Sequence, residues 1–295
     1  MKTMKFNISF MRHHKFFLTA AGLLVAASVL LVFVRGFNLG IDFTGGNMLQ
    51  LEFPTKVEVA EVRSAMSKVG YGSAVIQSYS DTGVMIRLQG SQDLTPNELR
   101  DKIIQAVDAL HTGSVKLISF EMVGPTVGGE LRNQAILASA IALLGILIYI
   151  TLRFRFRFAL VSVVALIHDT LITLGLFSLL QQEIGMTFIA AILTTIGYSL
   201  NNTIVILDRV RENWHRLPKI GMEVLLDRSI NQTLGRTINT SLTTFMPVLA
   251  FYIWGGPVLA GFSLAIMAGI VVGGMSSVCV TTSILYVWQQ HSPEK

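Results

Sequence analysis

The chain has 295 residues, a formal net charge of +5, 52% hydrophobic residues and only 14% charged ones, where soluble domains usually carry about 25% charged residues. With a positive mean hydropathy, this composition excludes an ordinary soluble domain and points to a polytopic membrane protein. The positive charge is no nucleic-acid footprint: residues 35–132 hold nine Lys/Arg against eleven Asp/Glu, and the remaining fourteen basic residues lie in short segments between apolar runs, as the positive-inside rule produces.

In chain order, a basic N-terminus (1–15) precedes an apolar run over 16–34. A signal peptide starts in the same way, but its apolar core is about 7–15 residues long and ends at a small-residue cleavage site. Here the run is longer and ends in "VFVRGF", so an uncleaved anchor is expected. Residues 35–132 read as a separate domain. "NMLQLEF" alternates like a strand, "KVEVAEVRSAMSKVG" has helical spacing, and "SAVIQSY" and "GVMIRLQG" are strands around a "DTG" turn. Residues 93–110 read as a helix capped by Thr95, with Pro96 at its first position and Glu98 completing a capping box. "SVKLISFEMV" from Ser114 is a last strand. The order β-α-β-β-α-β is the ferredoxin-like split pattern.

Further apolar runs cover 133–152, 159–180, 186–207, 237–254 and 258–288; each suffices for a spanning helix of about 20 residues. A loop or amphipathic helix is expected over 208–236, and a C-terminal tail over 289–295. The basic segments are the N-terminus, the Arg153–Arg157 turn and the 208–236 stretch, while "QQEIG" and "WGGP" carry no Lys or Arg. Six spans with both termini in the cytoplasm and 35–132 outside satisfy this pattern.

Ionisable groups inside spans are expensive, about 2.5–3.5 kcal/mol on insertion scales, so each needs a partner or a task. His168 and Asp169 lie mid-span in "VALIHDTLIT" and suit either a helix-packing pair or proton handling. Asn201 and Asn202 sit near the cytoplasmic end of the fourth run, where interhelical hydrogen bonding is the ordinary role. Asp208 begins a charged stretch that marks the membrane exit. Arg236, Thr240, Thr243 and Thr244 put a cation and hydroxyls at the start of the fifth run. They fit either a hydrated ion path or a snorkelling Arg with hydroxyls bonded back to their own helix. Gly269 and Gly273 form a small-xxx-small face for close packing. The "NNT", "NQT", "NTS" and "NIS" glycosylation matches fall in membrane or cytoplasm, and "GPTVGGE" lacks the Lys-Ser/Thr ending of a phosphate loop. Cys279, the only cysteine, cannot form an internal disulfide. No metal-ligand cluster, nucleophile elbow or dinucleotide fingerprint is present, so no metal, cofactor or catalytic residue is expected.

"GFNLGIDFTGG", "GPTVGGEL", "ALIHDTLITLG", "GYSLNNTIVILDRVREN" and "INQTLGRTINTSLTT" stand in the order found in the SecF branch of the SecD/SecF family, which the chain resembles over nearly its whole length. The resemblance implies an RND-like half-transporter in the bacterial cytoplasmic (inner) membrane that pairs with six-span SecD. It implies work with the SecYEG channel and YajC on unfolded exported polypeptides, driven by the proton motive force or a sodium gradient. It places ion coupling at Asn202 and Arg236, with Asp169 a further member, and a signature at Asp42, Gly45 and Gly46 that sets the entry geometry of the outer domain. One departure stands out: the family usually reads Asn-Asp where this chain has Asn201–Asn202. An amide cannot titrate near neutral pH. The carrier would then be Asp169, Asp208 or a carboxylate on SecD, or the amide stands in for a permanently protonated Asp. Competing readings are one half of an RND-type exporter of small molecules or lipids, and a purely structural subunit that anchors SecD.

Overall fold

The structure, a computed structural model, describes residues 6–88, 94–110, 115–154 and 156–291, with the backbone alone at 257 and 258. Lys2, Lys5, the Asp93 start of the expected helix, the Ser114 start of the expected strand, Arg155 and residues 292–295 lie outside the described residues. The chain forms two compact units, Leu39–Leu137 and Met1–Asn38 with Ala138–Lys295.

The chain begins with α1 (His14–Arg35), β1 (Asn38–Leu39) and a one-turn helix α2 (Ile41–Thr44). The smaller unit continues through β2 (Gly46–Glu52), α3 (Val59–Lys68), β3 (Val75–Ser78), β4 (Gly83–Leu88), α4 (Pro96–Asp108) and β5 (Lys116–Val123). Its strands form an antiparallel sheet in the order β3-β4-β2-β5. Alternation along the strands puts Leu49, Leu51, Val84 and Ile86 on one face, where Val62 and Met66 of α3 and Leu99 and Ile103 of α4 cover them. The Thr95 capping box closes α4: Glu98 Oε2 accepts from Thr95 N at 2.8 Å and Oγ1 at 2.7 Å, and Glu98 N donates back to Thr95 Oγ1. These hydrogen bonds, the hydroxyl's first and the backbone's second, hold the Glu98 carboxyl below its ordinary range.

Asp42 lies in α2, and Gly45 and Gly46 follow at φ of 69° and 124°. These left-handed angles disfavour any side chain. A Cβ on Gly45 would also sit 3.0 Å from the Pro125 Cα, and one on Gly128 would sit 2.9 Å from Gly45 N. Two backbones therefore touch at the signature, and glycine is needed on both sides.

The larger unit continues with α5 (Pro125–Arg153), α6 (Phe156–Leu180), β6 (Glu183–Ile184), α7 (Met186–Asn213), α8 (Leu217–Trp254), α9 (Gly256–Ser276), a π turn at Ser277–Thr281 and α10 (Thr282–His291). Among the described residues, five helical stretches are long and apolar enough to cross a membrane: Met11–Arg35, Pro125–Arg153, Phe156–Leu180, Met186–Trp254 and Leu259–His291. The fourth, at 69 residues, far exceeds one crossing. It is interrupted by a 3₁₀ turn at Trp214–Arg216 and by Gly221, whose φ of 75° breaks the start of α8. Ser28 of α1 packs into the space left by Gly175 of α6, where a Cβ would lie 2.3 Å from the Ser28 Cβ.

The N-terminal segment is fastened to α8. Asp227 Oδ1 accepts from Phe10 N and Met11 N, both at 2.9 Å, and so caps the helix that begins at Met11 from a distant part of the chain. The Asn231 amide pairs with both the N–H and the C=O of Ile8. Met11 is then buried in a core with Phe158, Leu200, Leu207, Leu225 and Ile230.

Thr95→Ala should raise amide hydrogen exchange in the first turn of α4 roughly fivefold, the usual loss of a good N-cap, and leave α3 unchanged. The pH dependence follows from the lowered Glu98 pKa. The contribution is present above the ordinary carboxylate pKa and is lost as pH falls through the lowered value. After correction for intrinsic rates, the gap between wild type and variant should therefore narrow in acid to the part carried by the Glu98 N–H to Thr95 Oγ1 bond, which does not titrate.

Candidate functional site

Three buried stripes meet in the larger unit. On α6 the stripe runs Ser162, Ala165, Asp169 and Thr173; on α7 it runs Thr195, Ser199, Asn202 and Ile206. These spacings of three and four residues keep one face of each helix turned inward. On α9 the corresponding positions are Gly269, Gly273 and Ser276. A Cβ on Gly269 would lie 1.7 Å from Thr195 Cγ2, and one on Gly273 would lie 2.7 Å from the Ser199 Cβ. The helices α7 and α9 thus pack through glycine at the small-xxx-small face read in the sequence.

This close approach assembles a polar centre. Asp169 is 2% exposed. Its Oδ2 accepts from Ser199 Oγ of α7 at 2.5 Å and Ser276 Oγ of α9 at 2.8 Å. His168 Nδ1 lies 2.9 Å from Oδ1, so the carboxyl meets a donated hydroxyl from each of two facing helices and the imidazole of its own neighbour. Such charge-assisted bonds are the main way a buried carboxylate is tolerated. Below it, Thr203 Oγ1 and Ser277 Oγ are 2.9 Å apart, and Ser277 donates to Gly273 O. The π turn begins at Ser277; such turns relax the helical hydrogen-bond ladder.

The other expected residues divide. Asn202 is 1% exposed, one turn from Ser199, and its Nδ2 has no hydrogen-bond partner among the described residues. Asn201, its neighbour, is exposed. Asp208 is paired with Arg153 at 3.0 Å and Arg211 at 3.1 Å. Arg236 and Thr243 are exposed. Thr240, Thr243 and Thr244 bond back to the carbonyls of Arg236, Asn239 and Thr240, the second of the two roles open to them in the sequence. Within the larger unit the structure therefore gathers His168, Asp169 and Asn202 on the inward faces, and not Arg236 or Asp208. Ser199 and Ser276 are the members that sequence reading missed. Ser199 was findable, since it stands three residues before Asn202 on the same helix face; for Ser276 no local pattern gave a signal. No group of three or more His, Cys, Asp or Glu among the described residues is placed to hold a metal ion.

The family model for the C-terminal part of the protein export membrane proteins SecD/SecF matches residues 102–291, and that for the SecD/SecF GG motif matches residues 30–55. The chain belongs to the SecD/SecF family. The protein translocase subunit SecF of Vibrio alginolyticus is 40% identical over 279 residues, covering 94% of this chain and 89% of that one. That of Haemophilus influenzae is 40% identical over 279 residues, covering 94% and 85%. The crystal structure of SecDF, a translocon-associated membrane protein from Thermus, matches with a TM-score of 0.88 at 38% identity. It covers 98% of this chain and 40% of its own, so this chain spans well under half of that longer one. A SecDF structure in a super-membrane-facing form matches with a TM-score of 0.73 at 37% identity, covering 99% and 40%. The match to SecF relatives along nearly the full chain makes this a multi-pass membrane protein of protein transport.

If the glycine contact positions the Asp169 donors, Ser199→Ala and Gly273→Ala should be coupled. Each alone should lower unfolding stability in mixed micelles, Ser199→Ala by about 1.5–3 kcal/mol. The double variant should lose clearly less than the sum, because a Cβ at 273 already displaces the Ser199 hydroxyl.

Proposed function

We propose that this chain is the SecF-type subunit that works with SecD to promote Sec-dependent protein translocation across the bacterial cytoplasmic (inner) membrane, coupled to the proton or sodium motive force. The chain crosses the membrane six times, the Met186–Trp254 stretch supplying two crossings with 208–236 on the cytoplasmic side. Both termini are cytoplasmic, and the ferredoxin-like unit lies outside. The family match and the longer SecDF neighbour support pairing with SecD. SecYEG, YajC and the unfolded exported polypeptide are the further partners. The chain is a coupling subunit rather than an enzyme.

The observation that carries the coupling reading is the sealed Asp169. A carboxylate mid-span, met by hydroxyls from two other helices, is costly unless it has a task. Its donors also link the rotation or sliding of α6, α7 and α9 to its charge: protonation weakens two charge-assisted bonds at once. In this chain Asp169 is the titrating group and His168 its proton partner, while Asn202 fills the family's acidic position with a neutral amide. Arg236, Asn201 and Thr243, exposed on the isolated chain, face SecD. The exporter-half reading would require a second copy instead of SecD.

In proteoliposomes containing the SecD-type partner and the Sec channel, this chain should speed translocation only when an ion gradient is present. Asp169→Asn should reduce the rate to the level without a gradient while preserving assembly. Equal rates with and without a gradient in the unmodified chain would remove the coupling claim.

A further inference from the structure

A second site lies on the opposite flank of α9 from Asp169, in a groove that the coupling mechanism does not use. It has a volume of about 490 Å³ between α8 and α9, with Phe10 at one end. Leu242, Phe245, Val271, Met275 and Val278 give it an almost wholly apolar lining. Val271 and Met275 are 51% and 64% exposed, so the groove opens outward from the bundle. Two hydroxyls, Thr237 and Ser241, also line it. They stand four residues apart and hence on one face of α8.

These hydroxyls differ from their neighbours. Thr240, Thr243 and Thr244 donate back to α8 carbonyls. Thr237 Oγ1 and Ser241 Oγ are buried and have no partner among the described residues, and Thr237 is only 5% exposed. An unmade hydrogen bond in an apolar setting is costly. Both hydroxyls therefore call for an acceptor supplied from outside the chain, within a slot otherwise suited to hydrocarbon.

We infer that the groove binds a phospholipid, with one acyl chain lying along α8 and α9 and its ester carbonyl accepting from Thr237 and Ser241. The inference rests on the proposed crossing of 237–254 from the cytoplasmic face, which puts Thr237 at the level of the lipid esters and Phe245 about 12 Å deeper. An apolar helix of a partner subunit is the rival occupant. Such a helix spends its backbone carbonyls on its own hydrogen bonds and offers none to the two hydroxyls.

The test uses the full chain in nanodiscs of phosphatidylethanolamine and phosphatidylglycerol, released into native mass spectrometry. Gly274 is the position to fill, because a Cβ there would meet only Ser241 Oγ, at 3.8 Å. Gly274→Leu should lose one retained lipid per chain, whereas Leu137→Phe on the exposed face of α5 should not. A second variant guards against misfolding by the first. Thr237→Val with Ser241→Ala should keep the fold and lower retention of ester lipids about fivefold relative to ether-linked analogues, which lack the carbonyl. Equal lipid counts in all variants, or no ester preference in the unmodified chain, would overturn the inference. So would cysteines at 271 and 275 that cross-link to a co-reconstituted SecD-type subunit rather than to a photoreactive lipid. Labelling of a cysteine at 236 from the cytoplasmic side reports the membrane crossing separately, so failure of that reading is distinguished from failure of lipid binding.

Discussion

The close approach of α7 and α9 at Gly269 and Gly273 is the constraint on which the polar centre depends. With any side chain at either glycine the helices must separate, since the added carbon would overlap Thr195 or the Ser199 Cβ. Separation would carry Ser199 and Ser276 away from Asp169 and leave a buried carboxylate short of donors. In hydrocarbon there is little hydrophobic drive between helices, so such packing and such hydrogen bonds must hold the bundle together. The same glycines therefore provide both the packing and the electrostatics of the centre.

This arrangement also gives the neutral Asn202 a context. A second buried carboxylate one turn from Ser199 would add like charge near Asp169 and disfavour ionisation of both. An amide avoids that repulsion and, on the proposed reading, leaves the carboxyl that changes charge to Asp169 alone, met by the Ser199 and Ser276 hydroxyls. Arg236 is exposed on the isolated chain, so a counter-charge from that side enters only through a conformational change or a partner. Around this rigid centre, α1 and α5 expose side chains such as Phe33 and Leu152, the apolar surface that lipid or partner helices cover.

What was legible in the sequence follows from the range of the interactions. The capping box at Thr95 and Glu98 is written in four consecutive residues, and the strands of the smaller unit in their alternation. The glycines at 45 and 46 were legible as turn formers, although the backbone they must clear, near Pro125, was not. Asp169 announced itself as a charge in an apolar run. Its partners did not, because Ser199 and Ser276 lie 30 and 107 positions away, and serine in a membrane helix is common. Adjacent amides looked alike in sequence, yet the helical rotation of about 100° per residue buries Asn202 and exposes Asn201. The Asp227 cap on the chain start was illegible for the same reason, since it joins residues 217 positions apart.

The central claim is that Asp169 is the group whose charge changes. Difference infrared spectroscopy of the reconstituted chain, with its partner subunit, measures this most directly. The account predicts a protonated-carboxyl stretch that titrates with pH, vanishes in Asp169→Asn, and shifts in Ser199→Ala and Ser276→Ala because the donors to Oδ2 are lost. A titrating carboxyl band that survives unchanged in Asp169→Asn would contradict it.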